Sequence, residues 1–559
     1  MTSPHPGLRV SRLVDLVPLI LIPALFVPSL IWVVRDMSVW PWDQAWYGEV
    51  SADLYYLLTH QPGAWGAAML HAFGSKAPGM AWLGQAFVPI GQIIGRVETG
   101  LLFSILIFQA GTMWLIYSIG RRLAPDQPLV AIAGIVFAAS APLFIGLSHQ
   151  YFVEPMQTLA VTLFFYLALI APRLSRTRLL AGLIGATAAG MLAKSSTPMY
   201  AILPGLVATT VLVLPESRAA ERPTGRSAAW VPLTFAGFAL LAAVVWYAIN
   251  LRGVLHKAYF SAVGEIALDY GRRDAFLNKL DTWLAALQVG FGLPRVLLLS
   301  GIAFAGGLVY AFIRWRRTAR AQSPNPAATP QAWQEHAHIV LGCAVLQIVG
   351  VLTILSLSIN EEPRFLLPVL PALAIVLMWG LSRIRMTAVS ALITVVFGIQ
   401  YAVIHAQAHG MIAPRPDISH WVRPVETGPA DYHRLQRAVE LTCTDDTNLR
   451  YTVIGVEFPA FNANSASFFS AKNRLRSGRR CYYISMGYAE TDFDRALNRI
   501  FDMRTAFFVS LAEEWQTEPP NFLNVLSIPM LHFIETSPEF ETEVNDPVTG
   551  LLIFRNLRE

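Results

Sequence analysis

The chain is 559 residues long, 54% hydrophobic and 14% charged, whereas ordinary soluble domains carry roughly 25% charged residues. That shortfall excludes a conventional soluble enzyme and points to lipid as the solvent for most of the chain. A net charge of +5 is modest and fits positively charged cytoplasmic loops better than a nucleic-acid-binding surface.

A bilayer core about 30 Å thick needs about 20 apolar residues per helix. Eleven spans are predicted: 16–34, 100–120, 129–147, 155–171, 179–193, 199–214, 230–249, 296–313, 339–359, 365–381 and 386–404. The first is long enough to cross and has no small-residue cleavage site behind it, so no cleavable signal peptide is expected. The fifth and sixth are joined only by Lys194-Ser195-Ser196-Thr197. A hairpin is expected there, because a lysine at mid-bilayer is costly.

Orientation follows the arginines. Arg9 and Arg12, Arg121 and Arg122, and Arg173, Arg176 and Arg178 lie in alternate connections. So do Arg218, Arg222 and Arg226, then Arg314, Arg316, Arg317 and Arg320, and finally Arg383 and Arg385. Positive loops stay inside, so the N-terminus is expected in the cytoplasm and the C-terminal part outside. The first outside segment, 35–99, contains two apolar or amphipathic stretches, 47–58 and 80–94, expected to lie along the membrane surface. A second long outside loop covers 250–295, and a Pro- and Ala-rich linker, 322–331, lies on the cytoplasmic side.

Two domains are therefore expected: a membrane domain over 1–405 and an outside domain over 406–559. In the second, helix-like runs (431–441, 492–501) alternate with strand-like runs (451–456, 481–485, 506–509), the pattern of a small α/β domain. Cys343 lies in an apolar helix. Cys443 and Cys481 form either a disulfide, in an oxidising compartment, or two buried free thiols.

The short outside turns share a chemical character. Trp40-Pro41-Trp42-Asp43-Gln44-Ala45-Trp46-Tyr47-Gly48-Glu49 places Asp43 among aromatics, which can raise a carboxylate's pKa and make it a base. Trp42, Trp46 and Tyr47 offer faces for a sugar, or form an ordinary interfacial aromatic belt with an incidental acid. Lys76-Ala77-Pro78, Glu154-Pro155, the Lys194 turn and Glu361-Glu362-Pro363-Arg364-Phe365 put acids and bases at one membrane depth. Such charges are expensive there unless they face water, partners or substrate. Cations neutralise a lipid phosphate while an acid handles a proton or a metal. The plain alternatives are a helix-start acid at Glu154, snorkelling at Lys194, pairing of Arg364 with Glu361 or Glu362, and a loop histidine at His256.

Taken in order, these segments resemble the GT-C membrane glycosyltransferases, in the branch of the lipid A aminoarabinose transferases and protein O-mannosyltransferases. The resemblance covers about residues 10–405. It rests on Asp43 after the first span, Lys76-Ala77-Pro78, Gly120-Arg121-Arg122 and Glu154-Pro155. It continues with Leu192-Ala193-Lys194-Ser195, Val245-Trp246-Tyr247 and Phe365-Leu366-Leu367-Pro368. The departures are Gln44 where the mannosyltransferases have Glu, Glu154 for the usual Asp, and Lys-Ala-Pro for Lys-Pro-Pro.

The resemblance implies a GT-C-like membrane domain and an inverting transfer from a polyprenyl-phosphate-linked sugar to a lipid A, envelope-glycan or protein acceptor. It implies Asp43 as base, and Lys76 with Lys194 or Arg364 on the donor phosphate. Glu154 would hold the acceptor, or a divalent metal ion with Glu49 or His256; no other cofactor is implied. The setting is a bacterial inner membrane with the C-terminal domain periplasmic. The competing readings are a lipid-linked-sugar transporter or flippase, which the lack of internal repeats disfavours, and a non-catalytic scaffold for envelope assembly.

Overall fold

The computed structural model describes residues 7–213, 230–292, 329–413, 428–444, 450–516 and 522–558. The predicted span 296–313 lies outside the described residues, as do Arg218, Arg222, Arg226, Arg314, Arg316, Arg317, Arg320 and residues 322–328 of the linker. Every other predicted span is mainly helical over its described residues. The described residues pack as two compact units. The first is Met1–Trp32, Phe73–Gly79 and Ile105–Pro424; the second is Val33–Ala72, Met80–Ser104 and Val425–Glu559.

The helices of the membrane part are, in order, α1 (Gly7–Arg35), α2 (Trp42–His60), α3 (Pro62–His71), α4 (Gly79–Gly84), α5 (Val88–Ile94) and α6 (Val97–Leu123). There follow α7 (Pro128–Ser140), α8 (Pro142–Ser148), α9 (Glu154–Ile170), α10 (Arg176–Ala193), α11 (Thr197–Val213) and α12 (Trp230–Ala262). The last are α13 (Glu265–Asp269), α14 (Phe276–Phe291), α15 (Thr329–Leu357), α16 (Leu370–Ile384) and α17 (Thr387–Ala408).

Seven described helices are long and apolar enough to cross a membrane, or eight if the bent pair α7–α8 is one span. Their burial differs with position. The span beginning at Glu154 is 78% buried within the structure, and that of α12 only 11%. Trp230, Phe235, Phe238 and Leu241 are all more than half exposed on α12. So large an apolar surface is tolerable only against lipid. α9, by contrast, runs through the interior, and its first residue is held by protein on all sides.

Three differences from the sequence expectations stand out. The third span is not straight: α7 and α8 meet at 61° across Ala141, because Pro142 cannot donate the bond that would continue the helix. The stretch 80–94 is two short helices, α4 and α5, with a further short helix, α3, before them. The stretch 250–295, expected as an outside loop, is mostly helix over its described part, since α12 continues to Ala262 and α13 and α14 follow.

The C-terminal part forms a three-layer α/β domain. Its elements are α18 (Pro429–Thr442), β1 (Tyr451–Ile454), α19 (Ala463–Ser477), β2 (Tyr482–Ser485), α20 (Phe493–Asp502), β3 (Thr505–Leu511), α21 (Ser527–Thr536), β4 (Phe540–Asp546) and β5 (Leu551–Asn556). The sheet order is β2-β1-β3-β5-β4. β1 pairs in parallel with β2 and β3, and β5 pairs antiparallel with β3 and β4. Successive strand residues alternate faces, as a pleated strand requires. Ile454, Val509 and Ile553 pack with α18 and α19 residues such as Leu435, Val439 and Phe469. Val453, Phe508 and Leu552 pack with Ala496 and Ile500 of α20 and Met530 of α21. Cys443 and Cys481 form a disulfide, with Cα atoms 5.6 Å apart.

Candidate active site

Three turns separated in sequence bring charged groups together within the first unit. Glu154 opens α9, with Pro155 in the first turn, where its missing N–H costs nothing and the positive end of the helix favours an acid. Lys194 follows α10 in extended conformation (φ −160°, ψ 136°). Thr197 closes that hairpin by donating its hydroxyl to Gly190 O at 2.6 Å and Lys194 O at 2.8 Å. Gln157, one turn into α9, reaches Ser196 Oγ at 3.2 Å and Thr197 Oγ1 at 3.3 Å. The third turn is a 3-10 segment, Pro363–Val369, tied down by Tyr200, whose hydroxyl donates to Phe365 O at 2.7 Å.

The result is a buried ionic cluster. Lys194 Nζ donates to Glu154 Oε1 at 2.8 Å. Arg364 Nε lies 3.5 Å from the same oxygen, and Arg364 Nη2 lies 2.6 Å from Glu362 Oε2. Aromatic faces complete the walls: Arg364 lies over Phe152 at 4.6 Å and Lys194 over Phe365 at 4.0 Å. The Glu154 side chain is 1% exposed. Its second oxygen, Oε2, is buried without a hydrogen-bond partner in the described residues. Burying such an acceptor is costly unless something else occupies it. Of the acids beside Arg364, Glu362 is its partner. Glu361 turns instead to Lys279 Nζ at 3.3 Å.

The segment carrying Lys76 is fitted tightly into the same unit. Phe73 and Gly74 both adopt positive φ, 62° and 65°. A Cβ at Gly253 would lie 2.3 Å from Gly74 O, and one at Gly79 would lie 2.6 Å from Leu192 O. Helices α10 and α12 thus grip the backbone on either side of Lys76, which is half-buried.

Asp43, Trp42, Trp46, Tyr47 and Glu49 belong to the second unit, on α2. Trp42 has φ +32°, a left-handed value that a bulky residue rarely adopts. Its indole N–H donates to Glu457 Oε2 at 3.1 Å. Strain of this kind costs about 1–3 kcal/mol, and the indole hydrogen bond offsets part of it, by about 0.5–1.5 kcal/mol to a neutral acid and more to an ionised one. Asp43, half-buried, follows directly. Trp42 and Trp46 are also half-buried, but Tyr47 is only 6% exposed and so presents no open face to a sugar.

The metal expectation is corrected by the arrangement of its ligands. The Glu49 carboxylate is taken by Arg480, whose guanidinium also lies 2.9 Å from Asp53 Oδ2. His256 is on α12 of the first unit, its ring 4.4 Å from that of Phe260. Among the described residues, no three His, Cys, Asp or Glu side chains gather to hold a metal ion. These residues do not fit a metal site.

No family model and no curated protein matches the sequence. Solved structures do. ArnT from Cupriavidus metallidurans in the apo state superposes with a TM-score of 0.52 at 13% identity, covering 96% of this chain and 97% of that one. The same protein bound to undecaprenyl phosphate gives 0.50 at 13% identity, covering 97% and 98%. The oligosaccharyltransferase AglB from Archaeoglobus fulgidus, in complex with an inhibitory peptide and a dolichol-phosphate, gives 0.50 at 10% identity, covering 96% and 74%. The chain shares the overall fold of these membrane proteins. At these identities the likeness concerns architecture. The chain is a multi-pass α-helical membrane protein with a C-terminal α/β domain.

Two features of the chain escape the sequence. Glu457 carries no motif; its one signal is an acid just after a strand-like run, the end of a strand where α/β domains place functional groups. Lys279, 3% exposed, is the other. It donates to the carbonyls of Arg272, Ser358 and Ile359, and so ties the turn before α14 to the end of α15.

Proposed function

We propose that this protein is an inverting glycosyltransferase that moves a sugar from a polyprenyl-phosphate donor to an acceptor outside the cytoplasm. The observation that carries the reading is the junction of Glu154, Lys194 and Arg364 from three separate turns, in a chain with the GT-C fold. A cluster of two cations and two carboxylates, with one carboxylate oxygen left over, is costly unless a substrate uses it.

In this reading Asp43 accepts the proton of the acceptor hydroxyl. The oxygen attacks the anomeric carbon as the bond from that carbon to the phosphate oxygen breaks, and the polyprenyl phosphate leaves with the electron pair. Inversion follows from attack opposite the leaving group. Lys76, Lys194 and Arg364 stabilise the charge on the departing phosphate, and Glu154 fixes Lys194 and Arg364 while its free oxygen orients a sugar or acceptor hydroxyl. The acceptor is a lipid A, an envelope glycan or a protein. The setting is a bacterial inner membrane with the N-terminus inside and the α/β domain in the periplasm. The Cys443–Cys481 disulfide supports that sidedness, since such bonds persist in oxidising compartments, as does the arginine bias.

The test is transfer of radiolabel by purified protein in nanodiscs from a polyprenyl-phosphate-sugar fraction to an envelope extract. Label should leave the donor with wild-type protein and stay on it with Asp43→Asn. Label that crosses a vesicle bilayer still attached to its lipid would favour a flippase instead, and an inert protein would favour a scaffold.

A further inference from the structure

We propose that Glu457 is a positioning residue for transfer: from the α/β domain it holds the Asp43 turn in its working conformation by accepting the Trp42 indole N–H. The inference rests on the glycosyltransferase reading above and extends it to a residue 415 positions from the tryptophan it binds.

The topology shows why Glu457 is suited to this. The chain passes from β1 to β2 on one side and then to β3 on the other, so the direction of winding reverses at β1. The connecting helices α19 and α20 accordingly cover opposite faces of the sheet. In open α/β sheets the crevice beyond the carboxyl end of such a strand is where ligands bind. Glu457 lies in that position, just after Ile454 closes β1. What it holds is not a ligand but the chain's own α2.

Its setting is rigid. Asn524 accepts from Glu457 N at 2.7 Å and donates to Glu457 O at 3.1 Å. The other carboxylate oxygen, Oε1, takes the Ala463 N–H at 3.4 Å, at the start of α19. The same helix fixes the segment on both flanks of Asp43. Ser465 Oγ donates to Trp40 O at 2.6 Å, and the Trp40 ring stacks on Phe468 at 5.2 Å. A Cβ at Gly48 would lie 3.0 Å from the Phe468 ring. Trp42, at φ +32°, is the strained point between these anchors. Without an acceptor for its indole the backbone relaxes, and Asp43 turns with it.

The experiment measures donor turnover by full-length protein in nanodiscs with the same labelled polyprenyl-phosphate-sugar fraction. Trp42→Phe and Glu457→Ala should each lower kcat roughly 10- to 100-fold, the cost of a misplaced group, with KM for the donor unchanged. The double variant should be no worse than either single one, as expected for two members of one contact. Glu457→Gln retains an acceptor oxygen and should recover most of the rate. A parallel measurement follows the Trp42 indole 15N–H resonance, which should move in Glu457→Ala and stay in Glu457→Gln. Wild-type kcat in Trp42→Phe, additive losses, or a KM rising in step with the loss would overturn the proposal while leaving the glycosyltransferase reading intact. A wild-type protein that transfers nothing would overturn both.

Discussion

Lys194 Nζ and Glu154 Oε1 stand 2.8 Å apart, although 40 residues separate them and each lies at a different helix end. The pair is the centre of the ionic cluster, because Arg364 approaches the same oxygen.

Glu154→Gln should leave Lys194 and Arg364 without their shared counter-charge. Removing one side of a buried ion pair costs about 3–5 kcal/mol. Thermal unfolding in detergent should shift down accordingly, and transfer should be lost. An unshifted unfolding curve would show that water already screens the cluster.

Arg364→Lys is not conservative here. The guanidinium serves Glu362 and Glu154 at once and lies over Phe152, which an ammonium cannot do. Loss of one charge-assisted bond of about 1.5–3 kcal/mol should lower kcat/KM roughly tenfold or more. Steady-state kinetics over donor concentration would register it.

Asp43→Asn should reduce turnover by about 10²–10⁴-fold, the usual contribution of a general base. Expression and unfolding temperature should stay at the wild-type level, because asparagine preserves size and hydrogen bonding. Near-normal turnover would remove Asp43 from the mechanism.

Glu457 should make the α/β domain lose stability as pH rises. Burial pushes its carboxyl up from 4.5 to about 7, against the opposing pull of the Ala463 N–H and the Trp42 indole. The folded state therefore holds a proton that the unfolded chain releases near pH 4.5. The stabilisation is complete below that value and fades as pH climbs towards about 7. It amounts to about 2 kcal/mol, allowing for water at its partly open side. Denaturant titrations between mildly acidic and neutral pH should show the decline in wild-type protein and a flatter profile in Glu457→Gln.

The Cys443–Cys481 bond, spanning 38 residues, should contribute about 3–4 kcal/mol by restricting the unfolded chain. Reductant should lower the unfolding midpoint of the wild type and leave a Cys443→Ser, Cys481→Ser variant unmoved. If the domain is outside, a membrane-impermeant maleimide should label the reduced pair in intact spheroplasts.

Much of the architecture was legible because lipid imposes a simple pattern. A run of apolar residues at 97–123 or 387–408 has few alternatives to a helix, and charges at such helix ends have few places to go. Hence Glu154, Lys194 and Arg364 could be singled out before any contact was known. The failures lay where distant partners decide. Glu49 has the chemistry of a metal ligand, and only its pairing with Arg480, 431 residues away, shows otherwise. The bend at Ala141 depends on Pro142 within a stretch whose hydropathy is uninterrupted. The strand β4 was missed because Phe540–Asp546 is mostly polar and exposed at the sheet edge, giving no clear period.

The distance in sequence between Trp42 and Glu457 also sets a schedule for biogenesis. The ribosome must add 415 residues after the tryptophan before its partner exists. At about 5–20 residues per second, that is roughly 20–80 s during which the nascent chain has no acceptor for the indole. A chain cut short before Glu457 would therefore carry the Trp42 turn without the acceptor that holds it.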